Sequence, residues 1–172
     1  MLQGLSIIGH QSIKIEASRF LFSCEELPVE ESLLHGSDVV ILACKSHAVE
    51  HLAQTGANFL KPDGVVMALS NGLGHATTLR RVNGLERVLA SITTHGAYLE
   101  GESTVWAGFG GVGIALPPMG PSPLKLLGVV DALRDAGLNP WVHEDASTLV
   151  WQKVLLNLSI NPIAALGGLK NG

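Results

Sequence analysis

Cysteine and charge are both scarce in this chain of 172 residues, and each scarcity excludes a class of protein. The two cysteines, Cys24 and Cys44, are too few for a disulfide framework or a cysteine-based zinc site. Both lie in apolar, strand-like surroundings, which favours buried thiols in a reducing compartment. Charged residues make up 15% of the chain, and the formal net charge is −4. Because a nucleic-acid-binding protein needs a basic face to neutralise phosphates, we expect no nucleic-acid partner.

Targeting sequences and long apolar runs are also missing. The first residues, MLQGLSIIGHQ, lack the basic region and the long apolar run of a signal peptide. No stretch reaches the roughly 18–20 consecutive apolar residues of a membrane span. We therefore expect a cytoplasmic protein with no membrane partner. Hydrophobic residues nevertheless make up 47% of the chain, so a core is easily formed.

The apolar residues are arranged in the strand–helix order that is typical of α/β proteins. Runs rich in branched residues at 37–45 and 65–70 predict strands buried on both faces. The segment 47–60 between them has the apolar spacing of a helix, and Pro-Asp-Gly at 62–64 predicts a turn. This order predicts a βαβ unit and a parallel sheet.

The remaining chain continues this alternation and then becomes helical. We predict a hairpin from 5–8 and 13–23, a helix at 75–82, a strand at 87–96, a glycine-rich hairpin or meander at 97–116, a helix at 124–137 and a strand at 138–144. A long helix follows at 145–160, with Asp145 or Ser147 as its cap. Because only helix follows that point, we expect a domain boundary near residue 145.

The chain contains one formal match to the dinucleotide fingerprint GxGxxG, formed by Gly108, Gly110 and Gly113. That fingerprint requires a helix N-terminus immediately after it, which binds the pyrophosphate. Here the sequence IALPPMGP follows, which cannot begin a helix promptly. We therefore interpret this segment as a glycine-rich hairpin rather than a cofactor loop.

Polar residues stand where the buried strands end. Lys45 follows the first apolar run and Asn71 follows the second, and ligands of open α/β sheets bind outside the carboxyl ends of strands. Either residue alone would be a solvated strand end or a turn former. Their equivalent positions in adjacent turns predict a site.

His95, at the next strand end, is interpreted as structural. His47 and His51 have no acidic or cysteine partner nearby, so we expect no metal site.

A polar stripe crosses the last helix. Lys153, Asn157 and Asn161 recur every fourth residue within WQKVLLNLSINP, so they lie on one face of the helix. A solvated face would normally carry Glu and Lys rather than two amides, and Asn is a poor residue for a helix interior. The stripe therefore predicts a polar seam or the wall of a cleft, in which a lysine can donate protons. We also expect the helix to break at Asn161-Pro162.

Four segments resemble, in order and spacing, motifs of the ketopantoate reductases (2-dehydropantoate 2-reductases). WQKVLLNLSINPIAAL resembles the family's W-x-K-L-x-x-N-x-x-I-N-P-L-T-A-L helix, and this is the most specific of the four. SDVVILACKSH resembles D-L-V-L-V-x-V-K-A, VVMALSNGLG resembles a strand ending in Q-N-G-x-G, and ASITTHGAYLEG resembles the T-T-H-G-A segment.

The resemblance implies reduction of ketopantoate to pantoate by NADPH, on the way to pantothenate and coenzyme A. Lys153 would be the general acid, Asn157 and Asn161 would bind the 2-oxoacid substrate, and Lys45 and Asn71 would bind the cofactor. The implied fold is α/β, with an incomplete Rossmann-like parallel sheet followed by the start of an all-helical domain. Residues 1–145 would form a partial NADP-binding domain, and residues 146–172 the start of the substrate domain. A homodimer is a further expectation.

The chain also departs from the family pattern. Ser70 replaces the usual Gln, Cys44 and Ser46 flank Lys45, and Ile163-Ala164 replaces Leu-Thr. The family's glycine fingerprint and later helices have no counterpart here, so we expect a fragment of a longer protein. Two alternatives stay open: a related 2-oxoacid or β-hydroxyacid dehydrogenase, and a non-catalytic Rossmann module. Such a fragment could also be only marginally folded.

Overall fold

Strands and helices alternate along the chain in a computed structural model, which describes residues 4–19 and 34–168. The strands are β1 (Leu5–Gly9), β2 (Ile13–Ile15), β3 (Ser37–Leu42), β4 (Leu60–Ala68), β5 (Ala90–Thr93), β6 (Gly96–Glu100), β7 (Ser103–Gly108), β8 (Val112–Ala115) and β9 (Pro140–His143). The helices are α1 (Val49–Ala57), α2 (His75–Asn83), α3 (Pro123–Asp135) and α4 (Ala146–Gly167). The mixed α/β class predicted from the sequence is confirmed. Cys24 lies outside the described residues.

The central sheet contains the predicted βαβ unit. β3 and β4 pair in parallel with α1 between them, and an isolated parallel bridge from Val66 to Val88, two residues before β5, links this pair to the three strands that follow. β5 then pairs antiparallel with β8, and β8 pairs parallel with β9. The sheet is therefore mixed rather than entirely parallel, with its parallel part on the side of β3 and β4.

Alternate residues of β4 pack into two apolar clusters, one on each face of the sheet. Val65 and Met67 pack with the buried face of α3, whereas Val66 and Ala68 pack with α1 and α2. This is the period of two expected for a strand with both faces covered. Burial of these side chains holds the carboxyl end of β4 in place.

The prediction that β3 is buried on both faces is correct only in part, because Val39 packs against the cluster covered by α3 whereas Ile41 is exposed. Val40 and Leu42 pack in the cluster covered by α1, but Ile41 points to the other face and is 44% exposed. Within the described residues, β3 has one partner strand, β4. Cover on the second face therefore extends over Val39 but not over Ile41.

The predicted turn at 62–64 is also wrong, because these residues lie within β4. The register passes from Ser37 opposite Leu60 to Val39 opposite Val65, so the extra residues form a bulge. The Arg87 guanidinium donates hydrogen bonds to the carbonyls of Lys61 and Gly64, the latter at 3.4 Å. These bonds replace the hydrogen bonds between strands that are missing at the bulge. β4 therefore continues through a sequence that would otherwise form a turn.

A second sheet has the order β2-β1-β7-β6 and contains two antiparallel hairpins, β1–β2 and β6–β7. Both hairpins were predicted, although Ala17–Arg19 forms a 3-10 turn instead of extended chain, and residues 20–23 lie outside the described part. Gly108 ends β7 and Gly113 lies in β8, so a strand, not a helix, follows the glycine-rich stretch. The rejection of the dinucleotide fingerprint is confirmed.

Helix α4 begins at the predicted cap and runs further than predicted. The Asp145 carboxylate accepts a hydrogen bond from the Thr148 N–H at 2.6 Å, which identifies Asp145 as the cap. The expected break at Asn161-Pro162 is wrong, since the helix continues to Gly167. Proline removes one backbone donor, which leaves the Leu158 carbonyl without its helical partner. Leu158 is 62% exposed, so water can bond this carbonyl and the helix persists.

Candidate functional site

The carboxyl ends of β3 and β4 bring Lys45 and Asn71 to the rim of one open cleft. Each residue lies three positions beyond the last residue of its strand, and parallel pairing places the two ends side by side. The cleft has a volume of about 530 Å³ and is lined by residues 43–46 and 69–71. This confirms the sequence-based expectation that the two residues share one edge of the sheet.

Two serine hydroxyls tie these strand ends together. Ser70 Oγ donates to the Cys44 carbonyl at 2.6 Å, and Ser46 Oγ donates to the Asn71 carbonyl at 2.6 Å. The two bonds run in opposite directions between the same pair of turns. Sequence reasoning recorded Ser46 and Ser70 only as departures from a family pattern. Their positions directly beside Lys45 and Asn71 were the available signal of this role.

The turn after Asn71 is shaped by glycine and by His75. Gly72 has φ +122°, and a Cβ there would lie 3.2 Å from Ser46 Oγ and 3.3 Å from His75 Nε2. His75 Nε2 lies 3.0 Å from the Asn71 carbonyl, and since a carbonyl only accepts, Nε2 carries the proton. The Asn71 carbonyl therefore accepts two hydrogen bonds, which fixes its peptide and the direction of its side chain.

The polar stripe of α4 meets this turn. Asn157 Nδ2 donates to Asn71 Oδ1 across a long contact of 3.5 Å, which joins residues 86 positions apart. Lys153 lies one helical turn before Asn157 and is half-buried, and Asn161 lies one turn after it and is exposed. The structure thus brings Asn71 and Asn157 together directly. Lys153 and Asn161 share their face of the helix.

The two lysines of the site have no protein partner for their charge. Neither the Lys45 nor the Lys153 ammonium group makes a hydrogen bond or an ion pair with any residue that the structure describes. By contrast, Lys61 and Lys125 pair with Asp38 at 2.9 Å and Asp63 at 2.5 Å. An ammonium group that pairs with no carboxylate can bind an anionic ligand without first breaking an ion pair within the protein.

His95 belongs to the supporting structure of the second sheet rather than to the cleft. Its Nδ1 accepts a hydrogen bond from the Gly110 N–H at 3.2 Å, so its Nε2 carries the proton and donates to the Leu138 carbonyl at 3.1 Å. The ring also packs edge-on against Trp106 and Phe109. Both ring nitrogens are satisfied, in agreement with the structural role expected from the sequence.

No metal centre is present among the residues at 4–19 and 34–168, where no three His, Cys, Asp or Glu side chains form a group suited to an ion. Lys45 is the charged residue that lines the cleft, and Lys153 lies one helical turn from Asn157, which contacts Asn71. The chemistry that the arrangement offers is binding of anions together with donation of hydrogen bonds and protons.

The fold and the cleft define a Rossmann-type α/β protein that carries a polar site at the carboxyl ends of its parallel strands. The family model of the ketopantoate reductases PanE/ApbA matches residues 7–118 of the chain. The chain therefore belongs to this family.

Relatives and solved structures agree with this assignment. The 2-dehydropantoate 2-reductase of Pyrococcus abyssi is 27% identical over 170 residues, covering 98% of this chain and 52% of the relative. That of Pyrococcus horikoshii is 32% identical over 136 residues, covering 78% and 44%. The crystal structure of 2-dehydropantoate 2-reductase from Geobacter metallireducens superposes with a TM-score of 0.79 at 18% identity, covering 95% and 52%. The chain thus spans about half the length of the relatives it matches.

Two further solved structures share the fold. One is a ternary structure of D-mandelate dehydrogenase with NADH and anilino(oxo)acetate, with a TM-score of 0.72, 22% identity and coverage of 94% of this chain and 50% of the other. The other is a dimeric ketopantoate reductase from Staphylococcus aureus, with a TM-score of 0.68, 17% identity and coverage of 98% and 57%. The fold is therefore shared by a dehydrogenase solved with NADH and by a dimeric ketopantoate reductase.

Proposed function

We propose that this chain belongs to an enzyme that reduces 2-dehydropantoate to pantoate with NADPH, a step toward pantothenate and coenzyme A. In this proposal the chain carries the sheet edge that binds the cofactor and the helix with the catalytic lysine. The observation that carries the proposal is the contact between Asn157 and Asn71. This contact sets the polar stripe of α4 against the strand end where a cofactor would bind. Membership of the ketopantoate reductase family supports the choice of substrate.

The cleft at the ends of β3 and β4 fits a nicotinamide cofactor. Lys45 offers an unpaired cation, Asn71 offers a side-chain amide, and the left-handed turn at Gly72 lets the backbone approach a ligand closely. In this proposal Lys45 and Asn71 bind the cofactor. When bound, NADPH supplies the hydride for the reduction.

Lys153 would act as the general acid. As the carbonyl carbon of the substrate becomes tetrahedral, negative charge develops on its oxygen, and the Lys153 ammonium donates a proton to that oxygen. The stripe also binds substrate. Because Asn157 donates from Nδ2 to Asn71, its Oδ1 remains as an acceptor for a substrate hydroxyl. Asn161, one turn further, would provide a second amide for the substrate.

The proposal extends to organisation and surroundings. We propose that residues 1–145 form the partial NADP-binding domain and that α4 opens the helical substrate domain at residue 146. The protein would be cytoplasmic, bind a small 2-oxoacid, and need neither a nucleic acid nor a membrane. A homodimer is proposed because a neighbour in the same family is dimeric.

Two alternatives are motivated by specific observations. D-mandelate dehydrogenase shares the fold and was solved with NADH, so a related 2-oxoacid or β-hydroxyacid dehydrogenase that uses NADH is the second candidate. The chain spans about half the length of its relatives, which motivates a non-catalytic module that binds a nucleotide without turnover. The cofactor accepted, and the presence or absence of turnover, separate these candidates from the first.

The proposal is tested with the purified protein in an assay that follows NADPH oxidation on addition of 2-dehydropantoate. We expect turnover in the wild-type protein and a loss of about 10²- to 10⁴-fold in kcat for Lys153→Ala, which is the range for removal of a general acid. The affinity for NADPH, measured by fluorescence titration, should not change. Lys125→Ala is the matched control, since Lys125 pairs with Asp63 outside the cleft.

Each other outcome has a definite meaning. Reduction of other 2-oxoacids with NADH, or oxidation of β-hydroxy acids with NAD⁺, but no turnover of 2-dehydropantoate, would establish the second candidate. Tight NADPH binding without reduction of any 2-oxoacid would establish the non-catalytic module. Full activity in Lys153→Ala would contradict the role assigned to Lys153 even if the substrate were right.

A further inference from the structure

A second cavity lies on the other side of the turn that follows Asn71. It has a volume of about 380 Å³ and is formed between α2, the first turns of α4 and the loop at Pro117-Pro118, with Ser91 of β5 among its lining residues. Lys45, Asn71, Lys153 and Asn157 are not among the lining residues. The volume lies within the range of small-molecule sites, roughly 300–1,000 Å³. The proposed function uses the Gly72 turn, which borders this cavity, but not the cavity itself.

The cavity contains a cation with no counter-ion. Arg80 lines it, and among the described residues its guanidinium makes one hydrogen bond, from Nη2 to the Pro118 carbonyl. Its Nε is buried and has no acceptor. The adjacent Arg81 shows the usual arrangement, an ion pair with Glu50 at 2.7 Å. The described lining residues include no Asp or Glu, so nothing in the cavity wall neutralises Arg80.

The rest of the wall is mostly apolar. Ala76 and Leu79 of α2 face Val150 and Trp151 of α4, and Trp151 is 49% exposed at the rim. Ser147 adds a hydroxyl at the α4 side. A ligand that fits this wall needs an apolar body, and a ligand that satisfies Arg80 needs an anionic head.

From this combination we infer that the cavity is a binding site for a small monocarboxylate with an apolar body, separate from the proposed active site. The carboxylate accepts hydrogen bonds from the Arg80 guanidinium, and the hydrocarbon body packs against Ala76, Val150 and Trp151. Inorganic phosphate carries more charge than one arginine neutralises, and it has no body to cover the apolar wall. A carboxylate is therefore the matching head group.

Matched ligands test the inference directly. Hexanoate, 1-hexanol and inorganic phosphate are titrated into the wild-type chain by isothermal titration calorimetry, at constant ionic strength. We expect saturable binding of hexanoate at one site. Hexanol, which has the same body without the charge, and phosphate, which has the charge without the body, should each bind at least about tenfold more weakly. Equal binding of hexanol or of phosphate would overturn the inference, as would no binding of hexanoate.

Variants then locate the site. Arg80→Gln should weaken hexanoate binding by about tenfold or more, since it removes a charge-assisted hydrogen bond. The matched control Arg81→Gln should leave binding unchanged. Lys153→Gln should also leave it unchanged, and a loss of binding there would place hexanoate in the proposed substrate site and overturn the inference.

A second variant covers the case in which Arg80→Gln does not fold, as judged by circular dichroism. Ser147 is exposed at the cavity rim, so Ser147→Phe fills the cavity without changing the core. This variant should abolish hexanoate binding and leave the wild-type melting temperature nearly unchanged. Unchanged hexanoate binding in a folded Ser147→Phe protein would show that the ligand lies elsewhere.

Discussion

At the scale of single residues, the geometry of the cleft depends on the two serines beside Lys45 and Asn71. The hydrogen bonds of Ser46 and Ser70 run between the ends of β3 and β4, where the backbone ladder has already ended. They join the two turns directly, in addition to the bonds that His75 and Asn157 make with Asn71. These hydroxyls therefore position the lysine and the asparagine relative to each other, although neither hydroxyl needs to touch a ligand.

Removing these hydroxyls tests their role. We expect Ser46→Ala and Ser70→Ala each to lower the free energy of unfolding by about 1 kcal/mol, as is typical for one hydrogen bond. The double variant should lose less than the sum, since both bonds join the same two turns. Urea denaturation of the three variants measures this. Ser103→Ala is the control, because the Ser103 hydroxyl makes no hydrogen bond in the described chain. A strictly additive double variant would show that the two turns are independent.

Residue patterns predicted that Lys45 and Asn71 share one edge of the sheet and that three polar residues share one face of α4, but not how these side chains are held. Lys153, Asn157 and Asn161 were identified because helical spacing places every fourth residue on one face. Lys45 and Asn71 were identified because the ends of apolar runs mark the ends of parallel strands. The partners of Ser46 and Ser70 lie 25 and 26 positions away, a separation on which local sequence carries no information. The second cavity was missed for the same reason, since α2 and α4 are distant in sequence.

At the scale of the element, the start of α4 is controlled by one carboxylate. Hydrogen bonds from the Thr148 side chain and, next in size, from the Thr148 N–H hold the pKa of the Asp145 carboxyl below its ordinary value of 3.8. Because the folded-state pKa is lowered, the charged carboxylate contributes stability above about pH 3.8, and this contribution is lost as the pH falls through the lowered value.

The cap can be separated from its charge by two substitutions. Asp145→Asn retains a side-chain acceptor but cannot titrate, so its melting temperature should depend less on pH below about 4 than that of the wild type. Asp145→Ala removes the acceptor and should melt at a lower temperature at neutral pH. Thermal melts followed by circular dichroism from neutral to acidic pH measure both effects. Glu144→Gln, one position earlier, is the control. A wild-type acid profile in Asp145→Asn would show that another group is responsible.

Elements were predicted correctly where the apolar period was regular, and wrongly where tertiary contacts outweighed a local signal. Pro-Asp-Gly at 62–64 reads as a turn, yet the hydrogen bonds from Arg87 keep it within β4. A Cβ on Gly64 would lie 2.9 Å from the Ser37 carbonyl, so the glycine is required by close packing of the bulge and not by a turn. Pro162 reads as a helix break, yet the exposed turn before it tolerates the lost hydrogen bond. Both errors arose because local propensity is a weak prior when packing or solvent supplies the missing bonds.

At the scale of the whole molecule, α4 stands out because many of its apolar side chains are exposed. Leu155, Leu158, Ile163 and Leu166 are between 58% and 91% exposed, on the sides of the helix away from Asn157. In the described part of the chain, α4 is also the one helix that is long and apolar enough to cross a membrane, although by length and composition alone. The polar stripe argues for a different role, because burial of Lys153 and two amides in a bilayer would be costly.

We therefore predict that this surface drives association between copies of the chain in solution. An exposed apolar area of this extent is uncommon on a monomer, and burying it removes leucine and isoleucine side chains from water. The apparent mass from size-exclusion chromatography with light scattering should rise with concentration up to about 100 μM. Leu158→Gln combined with Leu166→Gln should shift the chain toward monomer.

The control is Leu124→Gln, because Leu124 is 79% exposed but stands on α3, away from this surface. This variant should associate as the wild type does, since a single exposed leucine adds little area. A monomeric wild-type chain over the whole concentration range would contradict the prediction. Flotation of the wild type with liposomes, lost in the double glutamine variant, would instead assign the α4 surface to a membrane. Association that persists unchanged in the double variant would move the contact to the edge of β3 that has no partner strand within residues 4–19 and 34–168, where Ile41 is exposed and a strand can pair with its copy.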